Sequence, residues 1–295
     1  MDKWNLIINV GRCENCYNCV IADRDEYVGN DYPGYAAPAS LASEAPIRIQ
    51  RRVQGAAPLV ETTYLPVMCN HCDDAPCMKV GGDAITKRQD GIVIIDPVKA
   101  KGRKDIVRSC PYKAIVWNEE QQLPQTWIFD AHLLDGGWEW PRCQQVCPTG
   151  VFEALKLDDK AMQEKARKEG LRTLLPKLNA KPRVYYRGLE RWEKCFIAGS
   201  VSAIASDVVD CVVGAEVLLF QDGQRIAMTH SDSFGDFRFG GLTEGSGAYR
   251  VEISHPLGQA QRDCVLEESL YLGEIRVTGC ECQSVSKKED VYEYN

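Results

Sequence analysis

Hydrophobic residues change their spacing partway along the chain. From Phe196 onward they tend to recur at alternate positions in short runs: AEVLLFQ (215–221), RIAMTHS (225–231), DFRFGGL (236–242), AYRVEIS (248–254) and EIRVTG (274–279). A period of two sets alternate side chains on one face of a strand. Turn formers part the runs, at Gln221-Asp222-Gly223, Ser233-Phe234-Gly235-Asp236 and His255-Pro256-Leu257-Gly258, so this region predicts a small all-β sandwich. Upstream, VFEALKLDDKAMQEKARKEG (151–170) is built of helix formers with a basic second half and ends on Gly170, which predicts one exposed helix with a glycine cap. Pro176 and Pro182 then predict an extended linker over KLNAKPRVYY, because a residue before proline is pushed out of the helical region. No apolar run approaches the roughly 18 residues of a membrane helix. The start MDKWNLIINVGRC lacks a basic segment followed by a long apolar stretch, so neither a membrane span nor a Sec-type signal is expected, and the location expected is cytoplasmic.

Charge divides the chain at the same place. Of 35 Lys and Arg and 42 Asp and Glu, residues 195–295 hold 7 and 16, leaving a near-neutral 28 against 26 before them. Two domains follow, 1–194 and 195–295. With 44% hydrophobic and 26% charged residues the chain can bury real cores. Its net charge of −7 argues against a nucleic-acid partner held through phosphates.

The fourteen cysteines alter the picture most, since nine lie before residue 150 in clustered spacings. RCENCYNC places Cys13, Cys16 and Cys19 as C-x2-C-x2-C, and CNHCDDAPC supplies Cys69, Cys72 and Cys77 as C-x2-C-x4-C. Triplets of thiolates suit a cube-shaped iron–sulfur cluster whose fourth ligand comes from a distant Cys-Pro. Two such dipeptides exist, Cys110-Pro111 and Cys147-Pro148, making two complete four-thiolate sets. Structural zinc is the competing reading, but its ribbons use paired cysteines and leave a third one without a job. His71, inside the second triplet, is read as a core or supporting histidine in preference to a Rieske-type ligand.

The stretches CNHCDDAPCMKVGGDAI, DGIVIIDPVKAKGRKDIVRSCPYKAIVWNEE, AHLLD, PRCQQVC and KPRVYYRGLERWEK resemble the ferredoxin-like iron–sulfur subunits of the dimethyl sulfoxide reductase family, and within it the small subunits of pyrogallol–phloroglucinol transhydroxylase. The resemblance spans about the first 195 residues. It implies an α+β fold, a ferredoxin-like iron–sulfur domain followed by the β-sandwich. It also implies a large catalytic partner carrying molybdenum on two molybdopterin guanine dinucleotides (bis-MGD), in a heterodimer. The phrase THSDSFGDFRFGGL followed by GAYRVEI resembles prealbumin-like or Cna-B-like modules.

In that family four motifs pair crosswise, the first with the fourth and the second with the third. The resemblance therefore implies one cluster on Cys13, Cys16, Cys19 and Cys147 and another on Cys69, Cys72, Cys77 and Cys110. Two further sites are vacated. Gly81, Ala100, Arg103 and Ile106 stand where one would have its ligands; Asp23, Trp127 and Asp130 stand at another, leaving Cys143 as its surviving cysteine. Cys143 is expected to be a buried thiol, and the site round it to be packed, with each aspartate reaching solvent or a donor.

Cys195, Cys211, Cys264, Cys280 and Cys282 lack metal spacing and are expected to be core thiols; His132 is expected to pack or cap. The tail SKKEDVYEYN is expected to fray or dock on a partner. No phosphate loop, nucleophile elbow or acid–base pair is visible, so no catalytic residue is expected in this chain. The resemblance implies an electron-transfer and structural subunit of a molybdenum enzyme acting on hydroxylated aromatic rings, as a transhydroxylase or resorcinol-type hydroxylase. Alternatives are an electron-transfer subunit of another molybdenum oxidoreductase, or a scaffold whose clusters only hold the fold together.

Overall fold

The computed structural model describes residues 1–205 and 207–279; Cys280, Cys282 and the terminal charged tail lie outside the described residues. The fold is mixed α and β with few helices, and it divides into two compact units, Met1–Val53 with Thr62–Glu193, and Gln54–Glu61 with Lys194 onward.

The first unit is organised by the strand Lys3–Asn9, whose continuous apolar core Leu6-Ile7-Ile8 is fully buried. Such a run, without alternation, suits a strand covered on both faces. It pairs antiparallel with Phe152–Leu157 and parallel with Val184–Arg187. Both partners correct the sequence reading. The predicted helix over 151–170 is instead a strand followed by the helix Asp159–Lys168. Helix propensity is a weak prior, and here Phe152 and Ala154 gain burial in the sheet. Asp158 separates the two elements as the N-cap, its side chain accepting from the Ala161 amide at 2.8 Å, an arrangement worth about 1 kcal/mol. The expected linker is core as well: Val184 and Tyr186 are fully buried.

Two small hairpins also lie in the unit, Ile85–Lys87 with Val93–Ile95 and Ile115–Asn118 with Leu123–Thr126. Short helices, Asn18–Tyr27, Pro76–Gly81, Lys104–Ser109 and Arg142–Gln145, each carry or adjoin a cysteine of the clustered spacings.

The second unit holds two four-stranded sheets. One centres on Cys195–Ala205, which pairs with Val208–Cys211, Asp236–Leu242 and Leu270–Arg276. The other runs Gln224–His230, Glu216–Gln221, Gly247–His255, Gly258–Leu266. One core serves both, with Ile197, Val217, Leu219, Phe237, Phe239, Val251 and Ile253 among its buried members. Five of these strands follow the alternating runs of the sequence; Cys195–Ala205, Val208–Cys211 and Gly258–Leu266 carry no equally clear pattern. The turn at Gly235 needs its glycine: φ is +79° and a Cβ would meet the Val201 carbonyl at 2.6 Å. Cys195 is buried and Cys264 half-buried, but Cys211 is exposed, so the expectation of core thiols fails there because Val208–Cys211 is an exposed strand throughout.

Candidate iron–sulfur site

Cys13 and Cys16 lie on a loop that turns tightly through two left-handed residues, Asn15 (φ 56°) and Tyr17 (φ 63°), and Cys19 follows in the first turn of the helix Asn18–Tyr27. Asparagine tolerates that region; tyrosine does so at a cost, which is typical of strained loops at functional sites. Cys147 arrives from the end of Arg142–Gln145, held near by Asn18 Nδ2 donating to the Val146 carbonyl at 3.4 Å. The four thiols share one neighbourhood: Cys16 and Cys147 each act electrostatically on Cys13, and all three act on Cys19. Cys19 is buried, Cys13 and Cys147 are partly covered, and Cys16 is exposed. The Val151 amide donates to Cys147 Sγ at 3.3 Å.

Cys69, Cys72, Cys77 and Cys110 line one small chamber, closed by Ala75, Pro76, Val93, Ile95, Pro111 and Ile115. Amides point at two of the sulfurs, His71 N–H to Cys69 at 3.5 Å and Ala114 N–H to Cys110 at 3.5 Å. Burial, reinforced by the neighbouring thiols, pushes Cys19 and Cys72 up to about 12 and Cys77 up to about 11. Bare thiols here stay protonated, and only a strong local cation converts them to thiolates.

This donor set fits a cube of iron and sulfide better than a single ion. Among the described residues no three Cys, His, Asp or Glu side chains converge on one point. A tetrahedral zinc site, with Zn–S of about 2.3 Å, needs its sulfurs about 3.8 Å apart. A four-iron cluster instead takes each thiolate on a different iron. His71 lies beside the chamber in another role. Its Nδ1 accepts from the Val93 amide at 3.0 Å, so the neutral ring carries its proton on Nε2. Burial, then the charges of Lys87 and Arg183, pushes its pKa down to about 3. The ring lies against Trp127 at 5.4 Å and Phe129 at 5.6 Å between centroids.

The positions implied to be vacated are filled in two different ways. Ala100 and Ile106 are fully buried with Ala84, Ile85, Val93 and Ile95 in one apolar cluster, and a Cβ on Gly81 would meet Ile85 side-chain atoms at 2.5 Å. Arg103 lies at the edge, donating to Asp105 and to the Val80 carbonyl at 2.9 Å. The other set is polar. Asp23, Trp127, Asp130 and Cys143 are all buried; Asp130 acts electrostatically on Asp23, and both act on Cys143, which also senses Cys19. Trp127 shares a hydrophobic core with Cys143 and Cys19 and stacks on Phe129 at 4.8 Å.

Asp130 accepts from the Tyr27 hydroxyl at 2.8 Å and the Arg142 amide at 2.8 Å. Asp23 differs in that one of its oxygens, Oδ1, is buried with no hydrogen-bond partner among the described residues. It borders a cleft lined by Tyr27, Ala39, Pro46, Ile95 and Ile128, which Trp127, Asp130 and Cys143 do not line. Burial and the neighbouring Asp130 raise the Asp23 pKa well above the usual carboxylate range. The folded protein thus favours the protonated acid. The stability this gives is fully present below the unfolded value of 3.8 and is lost as pH rises through the raised folded value. Asp23→Asn should therefore flatten the fall in melting temperature across that window and leave or raise stability at pH 7; an unchanged pH profile of thermal unfolding would refute the assignment. His132, as expected, packs: its Nε2 lies 2.9 Å from Glu26 Oε1 and its ring 3.9 Å from that of Tyr32.

Residues 60–157 match the family model of the 4Fe-4S dicluster domain. The chain is 38% identical over 282 residues to the pyrogallol hydroxytransferase small subunit of Pelobacter acidigallici, covering 94% of this chain and 100% of the relative. It is 32% identical over 136 residues to an arsenate respiratory reductase iron–sulfur subunit of Shewanella, covering 46% and 53%. It is 26% identical over 164 residues to the thiosulfate reductase electron transfer subunit of Salmonella typhi, covering 55% and 80%. No helix among the described residues is long and apolar enough to cross a membrane. The chain belongs to the family of the pyrogallol hydroxytransferase small subunit, a branch of the iron–sulfur subunits that share a 4Fe-4S dicluster domain.

Proposed function

We propose that this chain is the electron-transfer and structural subunit of a molybdenum enzyme whose large partner carries bis-MGD and acts on hydroxylated aromatic rings, as a transhydroxylase or resorcinol-type hydroxylase. In this reading Cys13, Cys16, Cys19 and Cys147 hold one 4Fe-4S cluster, and Cys69, Cys72, Cys77 and Cys110 hold the other. The observation that carries it is the gathering of eight dispersed cysteines into two four-thiol groups, each with backbone amides directed at its sulfurs. When bound, such a cluster takes up or releases one electron.

The chain's own residues supply the setting. Thiolates anchor the metal, amides stabilise their charge, and Cys16 brings one ligand set to the surface where electrons can enter or leave. Val93 and Ile95 keep water from the other. The second unit, with its two sheets over one core, supports reading residues 195–295 as an appended prealbumin-like or Cna-B-like module. A soluble cytoplasmic heterodimer agrees with this composition.

Anaerobic purification of the chain from its source should yield a one-to-one complex with a much larger, molybdenum-containing chain. A monodisperse, cluster-replete small chain without a companion would overturn the heterodimer. Turnover of hydroxylated benzenes by that complex separates this reading from a sulfur- or arsenic-compound oxidoreductase.

A further inference from the structure

We propose that Lys87 is a positioning residue that fixes the Cys69–Cys77 ligand loop and holds the reduction potential of its cluster above the value the thiolates alone would give. This rests on the reading that these cysteines bind a cluster.

Lys87 closes the strand Ile85–Lys87, and its ammonium turns inward rather than to solvent, with the side chain 16% exposed. Its three N–H groups are shared among four oxygens: the His71 carbonyl at 2.8 Å, the Cys72 carbonyl at 3.1 Å, the Gly91 carbonyl at 2.9 Å and Asp73 Oδ1 at 2.9 Å. Three of these acceptors belong to consecutive residues of the ligand loop. His71 within that loop sits in the left-handed region at φ 43°, which is uncommon for residues other than glycine although histidine enters it more readily than most, and the bonds from Lys87 hold the loop in that turn. Burial lowers the Lys87 pKa and the bond to Asp73 opposes that shift; four acceptors give the buried ammonium the pairing that a buried charge requires.

The charge is not cancelled locally. Asp73 also takes a forked pair from Arg183, one arm at 2.8 Å, and a contact from Lys3 at 3.6 Å. Arg183 and Lys3 in turn reach Asp159 at 2.6 and 2.9 Å. Three cations therefore meet two carboxylates. Of the three, Lys87 donates to the backbone of the ligand loop, and its field reaches Cys69, Cys72 and Cys77. Reduction adds one negative charge to a group already surrounded by thiolates. A fixed cation nearby in a medium of low dielectric stabilises the reduced state more than the oxidised one and raises the potential.

The test is a potentiometric titration of the complex, followed by electron paramagnetic resonance. The signal that disappears in Cys72→Ser identifies the cluster in question. If no signal or iron is lost in that variant, it is the ligand assignment that fails. With the signal identified, Lys87→Gln should shift its midpoint to more negative potential, Lys87→Arg should keep it near the wild-type value, and the other cluster should not move. Asp73→Asn removes an anion from the same loop and should shift the midpoint the opposite way. A cluster that survives Lys87→Gln with an unchanged midpoint overturns the proposal. Should Lys87→Gln lose the cluster, Asp73→Asn decides, and an unchanged or lowered midpoint there overturns it.

Discussion

Purified anaerobically with its partner, the chain should contain about eight iron and eight labile sulfide, and removing one thiolate should cost about four of each. Cys16→Ser and Cys147→Ser should deplete the same half of the iron, although 131 positions separate the two residues in the sequence. Cys72→Ser and Cys110→Ser should deplete the other half. Three thiolates leave one iron of the cube without its protein ligand, and the loss reaches four once the exposed cluster disassembles. The two halves need not respond alike. Cys16 is exposed, so its loss admits water, and the neighbouring cluster should decay quickly in air. The Cys69 set is walled by apolar residues, and a surviving three-iron species there would last longer. Twelve iron per chain would show that a third site had been overlooked. Zinc without sulfide would return the assignment to a structural metal.

The second large effect concerns the polar vacated site. Changing Asp23, Trp127 and Asp130 together to cysteine, with Cys143 in place, should raise iron from about eight to about twelve per chain after reconstitution. Either aspartate changed alone should not, because two thiolates cannot hold a cube. Trp127→Cys alone should be costly, about 3–5 kcal/mol, since it empties a fully buried indole from the core it shares with Phe129 and His71. In the triple variant a cluster would refill part of that space. The charge balance also favours the exchange, because the change removes one buried carboxyl with an unpartnered oxygen and another held by Tyr27 and Arg142. Iron that stays at eight in a folded triple variant would mean that Trp127 does not face the other three. The apolar vacated site offers a contrast. Ile85 fills the space beside Gly81, and Ala100 and Ile106 are buried in the same cluster. A cube could return there only by displacing a hydrophobic core, and the same strategy should fail.

Most of the chemistry was legible along the chain. Cysteine spacing reports ligand geometry directly, because C-x2-C-x2-C can bend three sulfurs toward one centre whatever the rest of the fold does. Alternation likewise marked five strands of the second unit, where one face is buried and the other wet. Several facts were decided only in three dimensions. FEALKL reads as helix by composition, but Lys3–Asn9 offers an unpaired edge, and hydrogen bonds along that edge outweigh a propensity of a few tenths of a kcal/mol per residue. RVYY reads as linker after Pro182, but pairing with the other edge of the same strand buries Val184 and Tyr186. Asp23 gives no sign in sequence that one of its oxygens would lack a donor, since burial depends on what packs over it from distant segments. Lys87 looks like any strand-end lysine; only the fold brings the carbonyls of residues 71, 72 and 91 round its ammonium. Local spacing can specify three of the four ligands in each set because they are close together along the chain. The charges and cavities that tune such a site come from residues far apart in sequence, and tertiary packing alone sets their distances.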